Sequence, residues 1–312
     1  MKQHFIAALE NRSLDDLRKV PKSDLHNHAG RGGNLKYIEA WANITIQPHS
    51  GTFASLGEMQ EWFVRSVKSH CPGMEGYLKR IEAAFVQAAD DGIELLALSF
   101  GIDEIDSLCG MESFIRIMDS LRQRYAPQTA FLPELALDWA CNTDAVRARL
   151  DDIFAYQWFR SIDICGPELA QPISNFRSIY RKAKSAGLVL KAHTGEFGTA
   201  DNVLEAAVEL ELQEVHHGIA AAASPQIMKW LADHHIRLNV CPTSNVMLGR
   251  ARDYASHPVR TLYDAGVPVT INTDDLLIFN QSVSEEYLNL YLCGLMSAAE
   301  LNELRECGLR SG

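Results

Sequence analysis

The sequence has no extended basic run, no Cys-x-x-Cys pair, no apolar stretch of membrane-spanning length and no Gly-x-Gly-x-x-Gly. Each absence removes a class of function. With a formal net charge of −11 and no basic tract, the chain is a poor match for a nucleic-acid polymer or an anionic membrane surface. The seven cysteines, Cys71, Cys109, Cys141, Cys165, Cys241, Cys293 and Cys307, are scattered and odd in number. They suit reduced thiols in a cytoplasmic protein better than a disulfide framework. Met1-Lys2-Gln3-His4 leads into a mixed helical pattern, unlike a signal peptide. An open doubly wound sheet is the less favoured α/β architecture, because no glycine fingerprint follows the first predicted strand.

What is present is a rhythm. Apolar runs at 23–28, 93–100, 129–137, 158–165, 188–193, 214–217, 236–241 and 267–274 read as strands. Helical periodicity falls between them, at 77–90, 111–125, 143–154, 173–186, 202–211, 225–234 and 257–265. Eight alternating units in this length predict a (β/α)8 TIM-type barrel, with a single domain over 1–312. Extra helices are expected near the termini and after strand one. The polar region 43–74 reads as part of a lid.

In such a barrel, reactive side chains gather where the strands end. Strand one ends in His26 and His28, two residues apart and so on one face. Two imidazoles on one face begin a zinc-type site. Strand four ends in Cys165-Gly166-Pro167-Glu168, strand five in His193-Thr194-Gly195-Glu196 and strand six in His216-His217-Gly218. Strand seven ends in Cys241-Pro242-Thr243-Ser244-Asn245, and strand eight in Asn272-Thr273-Asp274-Asp275. Taken singly, His193 could be a core histidine and Asp274 or Asp275 a helix cap. Their gathering at one rim argues for a site.

Together, Pro21-Lys22-Ser23-Asp24-Leu25-His26-Asn27-His28, His193-Thr194-Gly195-Glu196, His217-Gly218, Cys241 to Asn245 and Asn272 to Asp275 resemble the adenosine deaminase family of metal-dependent hydrolase barrels. The resemblance implies one Zn2+ per chain held by His26, His28, His193 and Asp274. It implies Glu196 as the proton donor to a purine N1 and His217 as the group that orients the attacking water. Asp274 would also relay a proton to departing ammonia. Asp275 would meet N7, and the Gly166 backbone N–H would meet N3. The implied substrate is a small-molecule purine, an adenine nucleoside or its 5′-phosphorylated form, giving the inosine counterpart and ammonia. Another hydrolase of the same superfamily, or a nucleotide-sensing assembly protein with this fold, is the alternative. A homo-oligomer or a protein partner is compatible with either.

The family pattern breaks at Gly30-Arg31-Gly32-Gly33. Nucleoside deaminases usually carry an Asp at the position of Gly30, where it meets a ribose 5′-hydroxyl. Loss of that carboxylate and gain of Arg31 predict a phosphate contact by Arg31, with the glycine loop bringing backbone N–H groups near the anion.

Overall fold

The computed structural model describes residues 1–310. Eight strands, β1 (Lys22–Asp24), β2 (Ile93–Gly101), β3 (Ala130–Asp138), β4 (Ser161–Cys165), β5 (Val189–Thr194), β6 (Glu214–His217), β7 (Arg237–Val240) and β8 (Val269–Ile271), run parallel in sequence order. Helices fill the intervals, so the predicted TIM-type (β/α)8 barrel is the observed architecture. Along each strand one parity is apolar. Leu96, Leu98 and Phe100 on β2, Leu135 and Leu137 on β3, and Ile162 and Ile164 on β4 join the main hydrophobic core. That parity faces the helices, as side chains alternate across a sheet.

On several strands the other parity carries buried polar side chains. Glu134, Lys191, Glu214 and Asn239 occupy the floor of the barrel interior. Lys191 Nζ lies 2.8 Å from Glu134 Oε2 and 3.6 Å from Glu214 Oε2. Arg237 pairs with Glu214, Asn239 Nδ2 donates to Glu214 Oε2 at 2.7 Å, and Ser161 Oγ donates to Glu134 Oε2 at 2.7 Å. Burying such charges is tolerable only because each meets a partner and further hydrogen bonds.

The seam between β8 and β1 carries no regular ladder, only the bridge Asn27–Asp274. Leu25 N donates to the Asn272 side chain at 2.8 Å, and Asp274 N to His26 O at 2.9 Å. This is why both strands are shorter than predicted: a side-chain amide replaces a backbone partner where the chain turns toward the rim. Away from the rim, the helix Ala298–Leu309 packs on β1 and β8 together. A Cβ on its Gly308 would stand 2.0 Å from Ser23 Oγ, so glycine allows this approach without moving the Ser23 side chain.

Between β1 and β2 lie the helices Leu35–Ala42, Leu56–Ser66 and Gly73–Asp90. Leu35, Ile38, Phe53, Met59, Trp62 and Phe63 form a second core with Leu277, Ile278 and Phe279. The region read as part of a lid thus carries a helix, Leu56–Ser66, whose apolar side packs beside the rim. Three short helices, Ile102–Ser107, Pro242–Met247 and Leu276–Phe279, follow β2, β7 and β8. They are too short for a helical period to show in sequence. No helix among the described residues is long and apolar enough to cross a membrane.

Candidate active site

His26 and His28 leave β1 on a stretch held by the bridges Asn27–Asp274 and His28–Ser99. Their rings lie 5.6 Å apart, centroid to centroid. His193 comes from β5, His217 from β6 and Asp274 from just past β8. His26 Nε2 is 3.0 Å from His193 Nε2. Asp274 Oδ1 is 3.3 Å from His28 Nε2 and 3.8 Å from His26 Nε2. The predicted ligand residues therefore gather at the rim, His26 beside His193 and His28 beside Asp274.

The far nitrogen of each imidazole lies beside a polar group. His26 Nδ1 lies 3.2 Å from Asn239 O, His28 Nδ1 2.7 Å from Ser99 Oγ, and His193 Nδ1 2.8 Å from Asp163 Oδ2. A carbonyl and a carboxylate call for N–H at Nδ1 of His26 and His193. That leaves two Nε2 lone pairs facing each other, beside an acidic side chain. Two lone pairs at that distance repel unless a cation stands before them. The donor set therefore fits a zinc-type ion, with outer partners that fix each ring.

Glu196 and His217 face the same point. His217 Nε2 is 3.6 Å from Glu196 Oε1 and 3.7 Å from Asp274 Oδ2. Asn245 Nδ2 sits 3.0 Å from His217 Nδ1, which suits Nδ1 as acceptor and an N–H at Nε2, aimed inward. Ser244 Oγ donates to Asp274 Oδ2 at 2.7 Å. His217 and Asp274 both hold left-handed backbone, with φ of 61° and 59°. Non-glycine residues rarely accept this, and the surrounding bonds hold them there.

Electrostatics separate the carboxyls. Burial, reinforced by Asp274 and Glu168, holds the Glu196 carboxyl well above the ordinary range. Asp274 goes the other way: burial opposes ionisation, but His28 and His217 hold its carboxyl below the usual value. Burial pushes His217 down to about 3. For His28 burial is outweighed by Asp274 and Asp275, which lift it to about 9.

A cavity of about 800 Å³ opens over this cluster. Of the predicted site residues, all but His26 line it: His28, Arg31, Gly166, His193, Glu196, His217, Asp274 and Asp275. His216 is buried underneath, stacked 4.0 Å from the His26 ring and 3.1 Å from Glu134 Oε1. Gly166 has φ of 94°, and a Cβ there would meet Asp138 Oδ2 at 3.0 Å.

The loop after His28 differs from its reading as an anion cradle. Arg31 NH1 pairs with Asp275 Oδ2 at 3.2 Å, and NH2 donates to Gln60 Oε1 at 2.7 Å. Arg31 N and Gly32 N both donate to His28 O. The glycines serve close packing instead. A Cβ on Gly32 would overlap the Asn27 side chain, and one on Gly33 would meet Ala83 Cβ at 2.6 Å.

The model of the adenosine deaminase family matches residues 141–312, more than half of the chain. The chain belongs to the adenosine deaminase family. A Treponema pallidum protein named for adenosine/adenine deamination is 30% identical over 287 residues, covering 92% of this chain and 96% of that one. Among solved structures, adenine deaminase from Arthrobacter aurescens superposes with a TM-score of 0.80 at 23% identity, covering 94% of this chain and 93% of that one. A zinc-bound amidohydrolase from Burkholderia ambifaria does so at 0.74 and 20%, covering 95% and 86%. These two likenesses speak to the fold.

Several supporting residues carried no role in the sequence. Asp163 stands behind His193, Ser99 behind His28, and Asn245 behind His217. Glu168 accepts from the backbone N–H of Gly195, Phe197 and Gly198 at 2.6, 2.7 and 3.0 Å, pinning the turn that carries Glu196. A charged residue inside an apolar strand, two places before Cys165, was the available signal for Asp163.

Proposed function

We propose that this chain is a zinc-dependent aminohydrolase that replaces the C6 amine of an adenine-type purine with oxygen and releases ammonia. The observation that carries the reading is the facing lone pairs of His26 and His193 beside Asp274, with Glu196, its carboxyl raised by burial, in the same cluster. His26, His28, His193 and Asp274 would hold the ion. When bound there, zinc supplies a water acidified toward neutrality as the nucleophile.

The rest falls to side chains of this chain. Glu196, kept neutral by burial, delivers its proton to ring N1 as C6 becomes tetrahedral. His217 orients the attacking water through its inward Nε2–H. Asp274, kept ionised, accepts a proton from that water and passes it toward the leaving amine. Asp275 and the Gly166 backbone hold the edges of the ring, and Arg31 clamps Asp275 in place. The net reaction consumes one water and yields the 6-oxo purine and ammonia.

The Treponema pallidum relative, named for adenosine/adenine deamination, supports the ring as substrate. The test is ammonia release with the absorbance change of an adenine-to-hypoxanthine conversion, using zinc-loaded protein. Ammonia without that spectral change would point to another ring or amide.

A further inference from the structure

His217 can orient a water only if its proton sits on the nitrogen that faces the cluster. In a neutral imidazole, the nitrogen that carries the proton is set by the bond the other one makes. His217 is buried, and its Nε2 lies 3.6 Å from Glu196 Oε1 and 3.7 Å from Asp274 Oδ2. Resting on the reading above, we propose that His257, which does not line the cavity, is a positioning residue. Through the Asn245 amide it fixes the proton of His217 on Nε2.

The relay starts at a group whose role cannot change. His257 and Pro258 lead into the helix Val259–Asp264. Proline has no N–H, so Val259 offers the first donor of that helix, one of the orphans every helix start must satisfy. Val259 N donates to His257 Nδ1 at 3.1 Å. A backbone N–H is a donor only, so Nδ1 must keep its lone pair. Burial pushes His257 down to about 4, so the ring is neutral and its proton sits on Nε2. That Nε2 lies 3.3 Å from Asn245 Oδ1 and donates to it. The amide is thereby oriented, and its Nδ2 donates to His217 Nδ1 at 3.0 Å. His217 Nδ1 is then an acceptor, and the proton is left on Nε2.

Reversal at any link fails at the next. With the Asn245 amide turned over, its Nδ2–H would confront the Nε2–H of His257. Moving that proton to Nδ1 would set it against the Val259 N–H. His217, Asn245 and His257 are all buried, so water does not relieve an opposed pair of donors, and such a clash is costly. The relay joins the end of β6, the short helix Pro242–Met247 after β7 and the segment that leads toward β8. A residue outside the cavity thus decides which face of a cavity histidine can donate.

Two substitutions separate this role from support of the fold. His257→Asn keeps an acceptor near the place of Nδ1 for Val259 N and removes the donor to Asn245. His257→Gln reaches the place of Nε2 and restores that donor. In the zinc-loaded full chain, His257→Asn should lower kcat on adenosine by roughly tenfold to a hundredfold, with KM and zinc content little changed. His257→Gln should recover most of that loss. The readout independent of activity is nitrogen–proton NMR of histidine-labelled, zinc-loaded protein, with the His217 signal identified by its loss in His217→Gln. Wild type should show His217 protonated on Nε2, and His257→Asn a mixture of both forms. Protonation on Nδ1 in wild type overturns the inference. So does a wild-type kcat in His257→Asn, or equal kcat losses in the two variants that track their denaturation midpoints. If neither variant folds, the wild-type spectrum decides. Absence of ammonia from adenine, adenosine and AMP alike overturns the deaminase reading instead, and the spectrum still judges the relay.

Discussion

The floor and the rim of this barrel are both polar and both buried, yet they differ in how their polar groups are satisfied. In the floor, Glu134, Lys191, Glu214 and Arg237 pair with one another. At the rim each histidine has one nitrogen tied to the protein and the other aimed at a common point. Burial alone does not mark the site. Half-satisfied groups do, because the protein has paid to orient them and left one face for something else.

That contrast predicts that rim variants lose chemistry and floor variants lose stability. The largest effect is expected from His193 and Asp274 changed together to alanine. Tight zinc binding and turnover should both vanish while the fold remains; stoichiometric zinc in that double variant would break the ligand assignment. Next comes the floor. Lys191→Met leaves Glu134 and Glu214 without their shared cation and should destabilise by about 3–5 kcal/mol in denaturant titration. A near-wild-type midpoint would erase the difference between the two regions.

Glu196→Gln keeps the shape of the side chain and removes its proton. Metal content should stay, and kcat should fall by about a hundredfold or more, as for a lost general acid. Normal turnover would take Glu196 out of the reaction. The smallest effect is expected at Ser99→Ala, which frees His28 Nδ1. Zinc affinity, read by competition with a chelator, should weaken by roughly tenfold, and unchanged affinity would show that His28 needs no such support.

Much of this was legible because the chemistry sits on strand ends. The order of helices and strands followed from apolar runs, and the residues of the rim followed from where those runs stop. The floor was legible only as single odd residues, such as Glu134 and Lys191 inside otherwise apolar strands. Their pairing spans β3, β5, β6 and β7, and no local pattern announces a contact between Glu134 and Lys191. Arg31 shows the opposite case. Its neighbours suggested an anion, but its partners, Asp275 and Gln60, come from distant segments.

The seam carries a consequence for the making of this protein. His26 and His28 lie on one side of it and Asp274 on the other. Apart from the Asn27–Asp274 bridge and its neighbouring bonds, it is spanned by the helix Ala298–Leu309. In the growing chain all seven strand pairs and the floor network draw on residues that emerge before that helix, so the helix packs across a seam whose two strands are already made.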